Sequence, residues 1–236
     1  MKHQYFGDVN DFKKYGILRG MVDADLRLLV AWMLTAEDGR SDGKFIEYLK
    51  EPSTWREFDP ELFDFLSEAV LVREERSVHL IEEWDGLPAS FLSSIVPDDR
   101  DGRIEWESSL RSLSGEHDLV FFDPDNGIEV ASRPIGRKDS GKYVRWAELE
   151  AAWASGASLL IYQHFPRVPR DEFIAQMSDS LRRRLSAPHI GVLRTPRVAF
   201  FLVPQERWAE DAFQRAATVA DSWEPHVRFV MPDERS

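Results

Sequence analysis

Three apolar runs stop abruptly at polar, turn-forming loops, and this pattern constrains the fold more than any other feature of the chain. Leu26 to Leu34 ends at Thr35 and gives way to Ala36-Glu37-Asp38-Gly39-Arg40-Ser41-Asp42-Gly43. Leu119 to Phe122 ends at Asp123-Pro124-Asp125-Asn126-Gly127, and Ser158 to Tyr162 ends at Gln163-His164-Phe165-Pro166-Arg167. Apolar runs bounded by Gly, Pro, Asp and Asn read as strands buried on both faces.

Helical patterns separate these runs. Phe45 to Ala69 is expected to be helical, because Asp59-Pro60-Glu61 is a helix start and Leu62, Phe65, Leu66 and Ala69 form a stripe. Val144 to Ala154 carries Trp146, Leu149 and Trp153 on one face, with Gly156 as the stop. Later helices carry Phe173, Ile174, Met177, Leu181 and Leu185, and then Trp208, Phe213, Ala216, Ala217 and Ala220. Short strands are expected at Val78 to Glu82 and Arg103 to Trp106, with a helical segment from Pro88 to Ile95 between them. Ile190 to Leu193 and Val198 to Val203 read as a hairpin around Thr195-Pro196. The alternation predicts an α/β, Rossmann-like fold, with a mainly parallel sheet, helices on both faces and a C-terminal antiparallel hairpin.

No repeat, low-complexity tract or linker interrupts the 236 residues, so one domain over residues 1–236 is expected, with a helical insertion at about 45–72. There is no cysteine, which excludes disulfides, thiolate metal sites and thiol nucleophiles. The N-terminal residues have no apolar signal core, and no apolar run approaches the roughly 20 residues a membrane span needs. A cytoplasmic location with no membrane partner is the expectation.

A net charge of −12 opposes non-specific binding to polyanions. Locally the balance reverses: Arg133, Arg137, Lys138, Lys142 and Arg145 stand against Asp139 alone. That segment is either an ordinary solvated loop or a contact for RNA or DNA.

In parallel sheets ligands collect beyond the carboxyl ends of the strands, which selects loops 35–43, 123–129 and 163–167. Asp123 and Asp125 flank a proline that stiffens the turn, and Asn126-Gly127 permits a sharp exit. Asp123, Pro124, Asp125 and Asn126 are therefore candidate catalytic residues. His164 joins them, as a general acid or base or as a hydrogen-bond donor. The other histidines, His3, His79, His117, His189 and His226, have no metal-ligand spacing, so no dedicated metal site is assigned. Tyr5 to Gly16 is dense in polar and aromatic groups; Lys14 and Tyr15 either pack the fold or reach a ligand.

These features together resemble the class I S-adenosylmethionine-dependent methyltransferases, and more narrowly the adenine-N6 methyltransferases acting on 23S ribosomal RNA. Gly7-Asp8-Val9-Asn10-Asp11-Phe12-Lys13-Lys14-Tyr15 is similar to that family's Gly-Asn-x-x-Asp-x-x-Lys-His opening. Asp123-Pro124-Asp125-Asn126 resembles its catalytic Asp-Pro-Pro-Tyr, and Leu160 to Pro166 its next strand. The resemblance implies methyl transfer from S-adenosylmethionine to an amino group of a nucleic acid or nucleotide. By that analogy Asp123 and Pro124 accept hydrogen bonds from the target amino group. Lys14, Tyr15, Thr35 and Glu82 would then stand near the cofactor, Glu82 as a strand-end acid for the ribose hydroxyls. Two positions depart from the family: residues 36–43 replace a glycine-rich turn, and Asn126 replaces a stacking aromatic for which Phe165 and Trp146 are candidate substitutes. Two alternatives remain open: a metal-dependent phosphoesterase or nuclease using Asp123, Asp125 and Glu129, and a non-catalytic binding module.

Overall fold

The structure, a computed structural model, describes residues 1–23, 25–36, 43 and 45–232. Helix α1 (Val9–Met21) starts at Asp8, whose carboxylate accepts from the amides of Asn10 and Asp11. Strand β1 (Leu28–Ala31) follows. The stretch expected as one helix from Phe45 to Ala69 is helical but broken, into a 3-10 turn at Glu47–Lys50, α2 (Pro52–Trp55), a second turn at Arg56–Phe58 and α3 (Pro60–Ser67). Pro52 and Pro60 force the breaks, because proline lacks the amide a continuing helix needs. Asp59 restarts the helix by accepting from the Leu62 amide.

The chain continues through α4 (His79–Glu82), β2 (Ala89–Leu92), α5 (Arg100–Ser114) and β3 (Leu119–Phe122). A short ladder β4 (Gly127–Ile128) and β5 (Tyr143–Val144) precedes α6 (Trp146–Ala154), β6 (Ser158–His164) and α7 (Arg170–Leu185). The hairpin β7 (Gly191–Arg194) and β8 (Val198–Val203), then α8 (Ala209–Ser222) and β9 (Arg228–Val230), complete the described chain.

Three expectations are corrected. Val78 to Glu82 is not a strand: Val78 and Ile81 are buried three residues apart, as one helical turn requires. Arg103 to Trp106 lies inside α5, where Asp99 caps the start and Trp106 and Leu110 share the buried face at i,i+4 spacing. Pro88 to Ile95 is not helical, since Ala89–Leu92 pairs in parallel register with Leu28–Ala31. Pro88 sits ahead of the strand, where no ladder amide is needed. Segments this short hold too few periods for spacing alone to separate helix from strand. Strands β4, β5 and β9 have no counterpart among the expected elements, and the helix expected from Val144 begins at Trp146, after β5.

Among the described residues the main sheet has seven strands in the order β2-β1-β3-β6-β8-β7-β9. β2, β1, β3 and β6 are parallel, and β8 runs antiparallel between β6 and β7, as the expected hairpin. The fold is α/β and Rossmann-like. Alternation divides each central strand between two cores: Val30, Phe121, Leu160 and Phe200 face one, and Ala31, Phe122, Ile161 and Phe201 the other. Helices α1, α3 and α8 cover the first core, and α5, α6 and α7 the second. With both faces covered, open space for a ligand remains at the strand ends. Among the described residues, no helix is long and apolar enough to cross a membrane.

Candidate functional site

At the carboxyl ends of β3 and β6 lies a cavity of about 370 Å³, walled by the start of α1, the loop after β3 and the turn between β7 and β8. Asp8, Asp11, Lys14, Asp123, Pro124, Asp125, Tyr162, His164 and Arg197 line it, and Tyr5 and Phe45 stand at its edge. Five of the sequence candidates, Lys14, Asp123, Pro124, Asp125 and His164, thus meet in one place.

The centre is a buried ion cluster. Lys14 Nζ donates to Asp11 Oδ1 and to Asp123 Oδ2, each at 2.8 Å, and lies 5.1 Å from the Tyr162 ring centroid. Burial disfavours the ammonium, yet the two carboxylates outweigh it and raise the Lys14 pKa. One cation cannot fully compensate two carboxylates out of water. Burial accordingly pushes the Asp11 carboxyl up to about 7, against the opposing pull of Lys14. The Tyr15 hydroxyl donates to Asp11 Oδ2 at 3.0 Å, which turns Tyr15 into the packed wall between Phe6 and Trp32 and away from the cavity.

Asp125 has its own partners. The Met1 amino group stands 2.6 Å from Oδ1, and Thr35 Oγ1 donates to Oδ2 at 2.7 Å. Burial raises the Asp125 pKa, but these two partners more than offset it and hold the carboxyl below its ordinary value. Thr35 therefore bears on the cavity through Asp125. Asn126 faces solvent, its amide donating to the Lys142 carbonyl at 2.9 Å.

His164 is exposed at the cavity edge, its ring set at 88° to Tyr162 with centroids 5.1 Å apart. Desolvation on the side facing the site lowers its pKa, and Lys14 lowers it further, against Asp123. The imidazole is consequently a neutral base at neutral pH.

Glu82 lies elsewhere. It sits on α4 rather than at a strand end, where Oε1 accepts from Trp32 Nε1 at 2.8 Å and from Ser93, and Oε2 lies 2.7 Å from His79 Nδ1. Oε1 thus ties α4 to the ends of β1 and β2, and Oε2 pairs with a residue of its own helical turn. Phe165 packs on Phe173, and Trp146 lies under Arg184; neither lines the cavity. In the loop 35–43, positions 37–42 fall outside the described residues.

Residues beyond the sequence candidates also shape the site. Gln163 fixes the loop after β3: its Oε1 accepts from the Ile128 amide at 2.8 Å, and its Nε2 donates to the Asn126 and His164 carbonyls. Gly127, at φ +111°, passes so close that a Cβ there would lie 2.2 Å from Gln163 Oε1. Phe45 is 52% exposed, with the Arg197 guanidinium 4.6 Å over its ring. Asp11 could have been found from its i,i+3 spacing to Lys14. Arg197, in a hairpin turn, carries no comparable pattern.

The basic segment rises from the same loop. Asn126-Gly127-Ile128 is tied to Lys142-Tyr143-Val144 by the β4–β5 ladder, and the intervening turn wraps Asp98, whose carboxylate accepts from the Asp139 and Gly141 amides at 2.9 and 2.6 Å. Arg133, Arg137 and Lys138 stand exposed on that turn. Lys142 pairs with Asp139 at 2.9 Å, and Arg145 lies 3.9 Å from Glu107. No family model and no curated protein matches the chain.

Proposed function

We propose that the chain transfers a methyl group from S-adenosylmethionine to an exocyclic amino group of a nucleic acid or nucleotide. The observation that carries this reading is the acceptor pair at the end of β3. Asp123 and Pro124 both line the cavity; Asp123 Oδ2 is bound to Lys14, while Asp123 Oδ1 and the Pro124 carbonyl accept no hydrogen bond from the described residues. Two acceptors on one turn match the two N–H groups of an amino nitrogen, and accepting from both raises electron density on that nitrogen as it attacks.

The donor set of the cavity suits the cofactor. Asp8, Asp11, Asp123 and Asp125 stand beside Lys14, Arg197 and the Met1 amino group, so the cavity offers both signs of charge to a ligand that carries sulfonium, ammonium and carboxylate groups. Asp8 and Asp11 would face those cationic groups, Arg197 the carboxylate, and Phe45 and Tyr5 the adenine ring. The cofactor supplies an electrophilic methyl carbon. The proton that the amino nitrogen sheds has an acceptor in the neutral His164 imidazole at the cavity edge. Lys14 holds Asp123 in one orientation, and Gln163 holds the loop that carries it.

A metal-dependent phosphoesterase is less well supported, because Lys14 and Thr35 already engage the two carboxylates and a divalent ion would have to displace them. Among the described residues no cluster of three His, Asp or Glu has ligand geometry.

Incubation with methyl-labelled S-adenosylmethionine and a panel of RNA, DNA and nucleotides tests the reading. Label transfer that Asp123→Ala abolishes is expected. No transfer to any acceptor, or transfer undiminished in Asp123→Ala, contradicts it.

A further inference from the structure

Beside the cavity lies a second pocket, of about 180 Å³, lined by Arg170, Arg194, Thr195, Pro196, Pro225, His226 and Arg228. The turn Arg194-Thr195-Pro196-Arg197 joins the two, since Arg197 lines the first and the three residues before it line the second. This turn is rigid: Thr195 Oγ1 accepts from the Arg197 and Val198 amides, each at 3.2 Å.

The charge of this pocket is unlike that of the chain. Arg194 and Arg228 are directly opposite one another on β7 and β9, a like-charge cross-strand pair that costs stability when nothing lies between the two. Arg194 bonds Asp171, whose side chain is 87% exposed. Arg170 lies 5.6 Å over the Phe165 ring, and among the described residues neither it nor Arg228 has a carboxylate partner. Three guanidiniums against one exposed carboxylate, in a chain of net charge −12, form an anion site. Guanidiniums engage tetrahedral oxyanions through paired N–H donors, and the volume admits one such group.

The geometry points to Arg170, Arg194 and Arg228 as a pocket for a backbone phosphate of a single-stranded nucleic acid whose target base enters the neighbouring cavity. A polymer accounts for a feature a free phosphate does not. Arg133, Arg137 and Lys138 stand on the loop leaving β3, while Arg194 and Arg228 stand on β7 and β9, beyond β6 and β8 in the sheet order. A strand crossing the cavity between them meets cations on both sides, and the cavity interior is left to the base and the methyl donor. The pocket rests on the nucleic-acid substrate proposed above and is independent of the methyl donor.

Fluorescence anisotropy with a labelled oligouridylate, titrated at several salt concentrations, tests it. Arg228 is exposed on the edge strand β9, so Arg228→Ala and Arg228→Glu are expected to fold. Both are expected to weaken binding, Arg228→Glu by about tenfold or more, and to reduce the slope of log affinity against log salt by about 0.7 for the phosphate lost. Arg207→Ala, which removes the same charge beside Gly156 at the other end of the sheet, is expected to bind as the unaltered protein does. Failure of the unaltered protein to bind the oligonucleotide overturns the proposal, as does equal binding by Arg228→Glu or equal loss in Arg207→Ala. Binding of inorganic phosphate that is lost in Arg228→Glu, with oligonucleotide binding unchanged, assigns the pocket to a free phosphate and overturns the backbone assignment. Calorimetry with S-adenosylhomocysteine separates the two readings: its absence alongside intact, Arg228-dependent oligonucleotide binding removes the methyl donor and leaves the phosphate pocket.

Discussion

Lys14 Nζ lies 2.8 Å from Asp123 Oδ2, joining α1 to the end of β3 with only 3% and 2% of the two side chains exposed. Removing one partner of such a pair leaves the other buried and uncompensated. Lys14→Met is therefore expected to cost about 3–5 kcal/mol, read from urea unfolding. Lys14→Met with Asp123→Asn should recover part of that loss. A single-variant loss below about 1 kcal/mol, the scale of an exposed pair, contradicts the buried cluster.

Asp11 gives the cluster a pH dependence. Its carboxyl, ordinarily at 3.8, is pushed by burial up to about 7, so the folded site favours the protonated form. Its contribution to stability is complete below about pH 4 and is lost as pH rises through about 7. Asp11→Asn, which mimics the protonated acid, should gain stability relative to the unaltered protein as pH rises from about 4 to about 7. A difference constant across that interval contradicts the raised value.

Gln163 and Gly127 control the loop that carries Asp125. Gln163→Leu strands the Ile128 amide, a buried donor, at a cost of about 1–3 kcal/mol. Hydrogen exchange at Ile128 should quicken while exchange in β1 is unchanged. Gly127→Ala is expected to be the more damaging, because both its φ of +111° and the 2.2 Å approach to Gln163 reject a Cβ. Milder loss in Gly127→Ala than in Gln163→Leu would contradict that geometry.

Arg103 and Glu148 anchor the far end of the basic loop. Their bidentate pair, at 2.6 and 2.8 Å, is wholly buried, and Arg103 also donates to the Tyr143 carbonyl at 2.9 Å. Glu148→Ala should lose about 3–5 kcal/mol and loosen β5, while Arg103→Met with Glu148→Met loses less. Equal losses in the single and double variants contradict a coupled pair.

Much of the architecture was legible in the sequence, for identifiable reasons. Leu119 to Phe122 and Ser158 to Tyr162 are apolar on both faces and end in turn residues, so only a buried strand accommodates them. Asp123, Pro124 and Asp125 were accessible by the same logic, because the carboxyl end of a parallel strand is where a ligand fits. Arg103 to Trp106 misled because the apolar alternation of Ile104 and Trp106 mimics a strand over four residues. The helical period emerges only with Leu110. Glu82 misled in turn, since its expected role depended on Val78 to Glu82 being a strand. Arg197, Phe45 and Gln163 reach the site from turns and from a strand end, where no periodicity marks them. Their proximity exists only in three dimensions.

The most direct test of the central claim is calorimetric titration of S-adenosylhomocysteine into the unaltered protein and into Asn10→Trp, a cavity-lining position where an indole fills the space. Saturable binding at one site in the unaltered protein, lost in Asn10→Trp, is the predicted result. No binding up to millimolar ligand, or binding undiminished by Asn10→Trp, contradicts a cofactor site at the ends of β3 and β6.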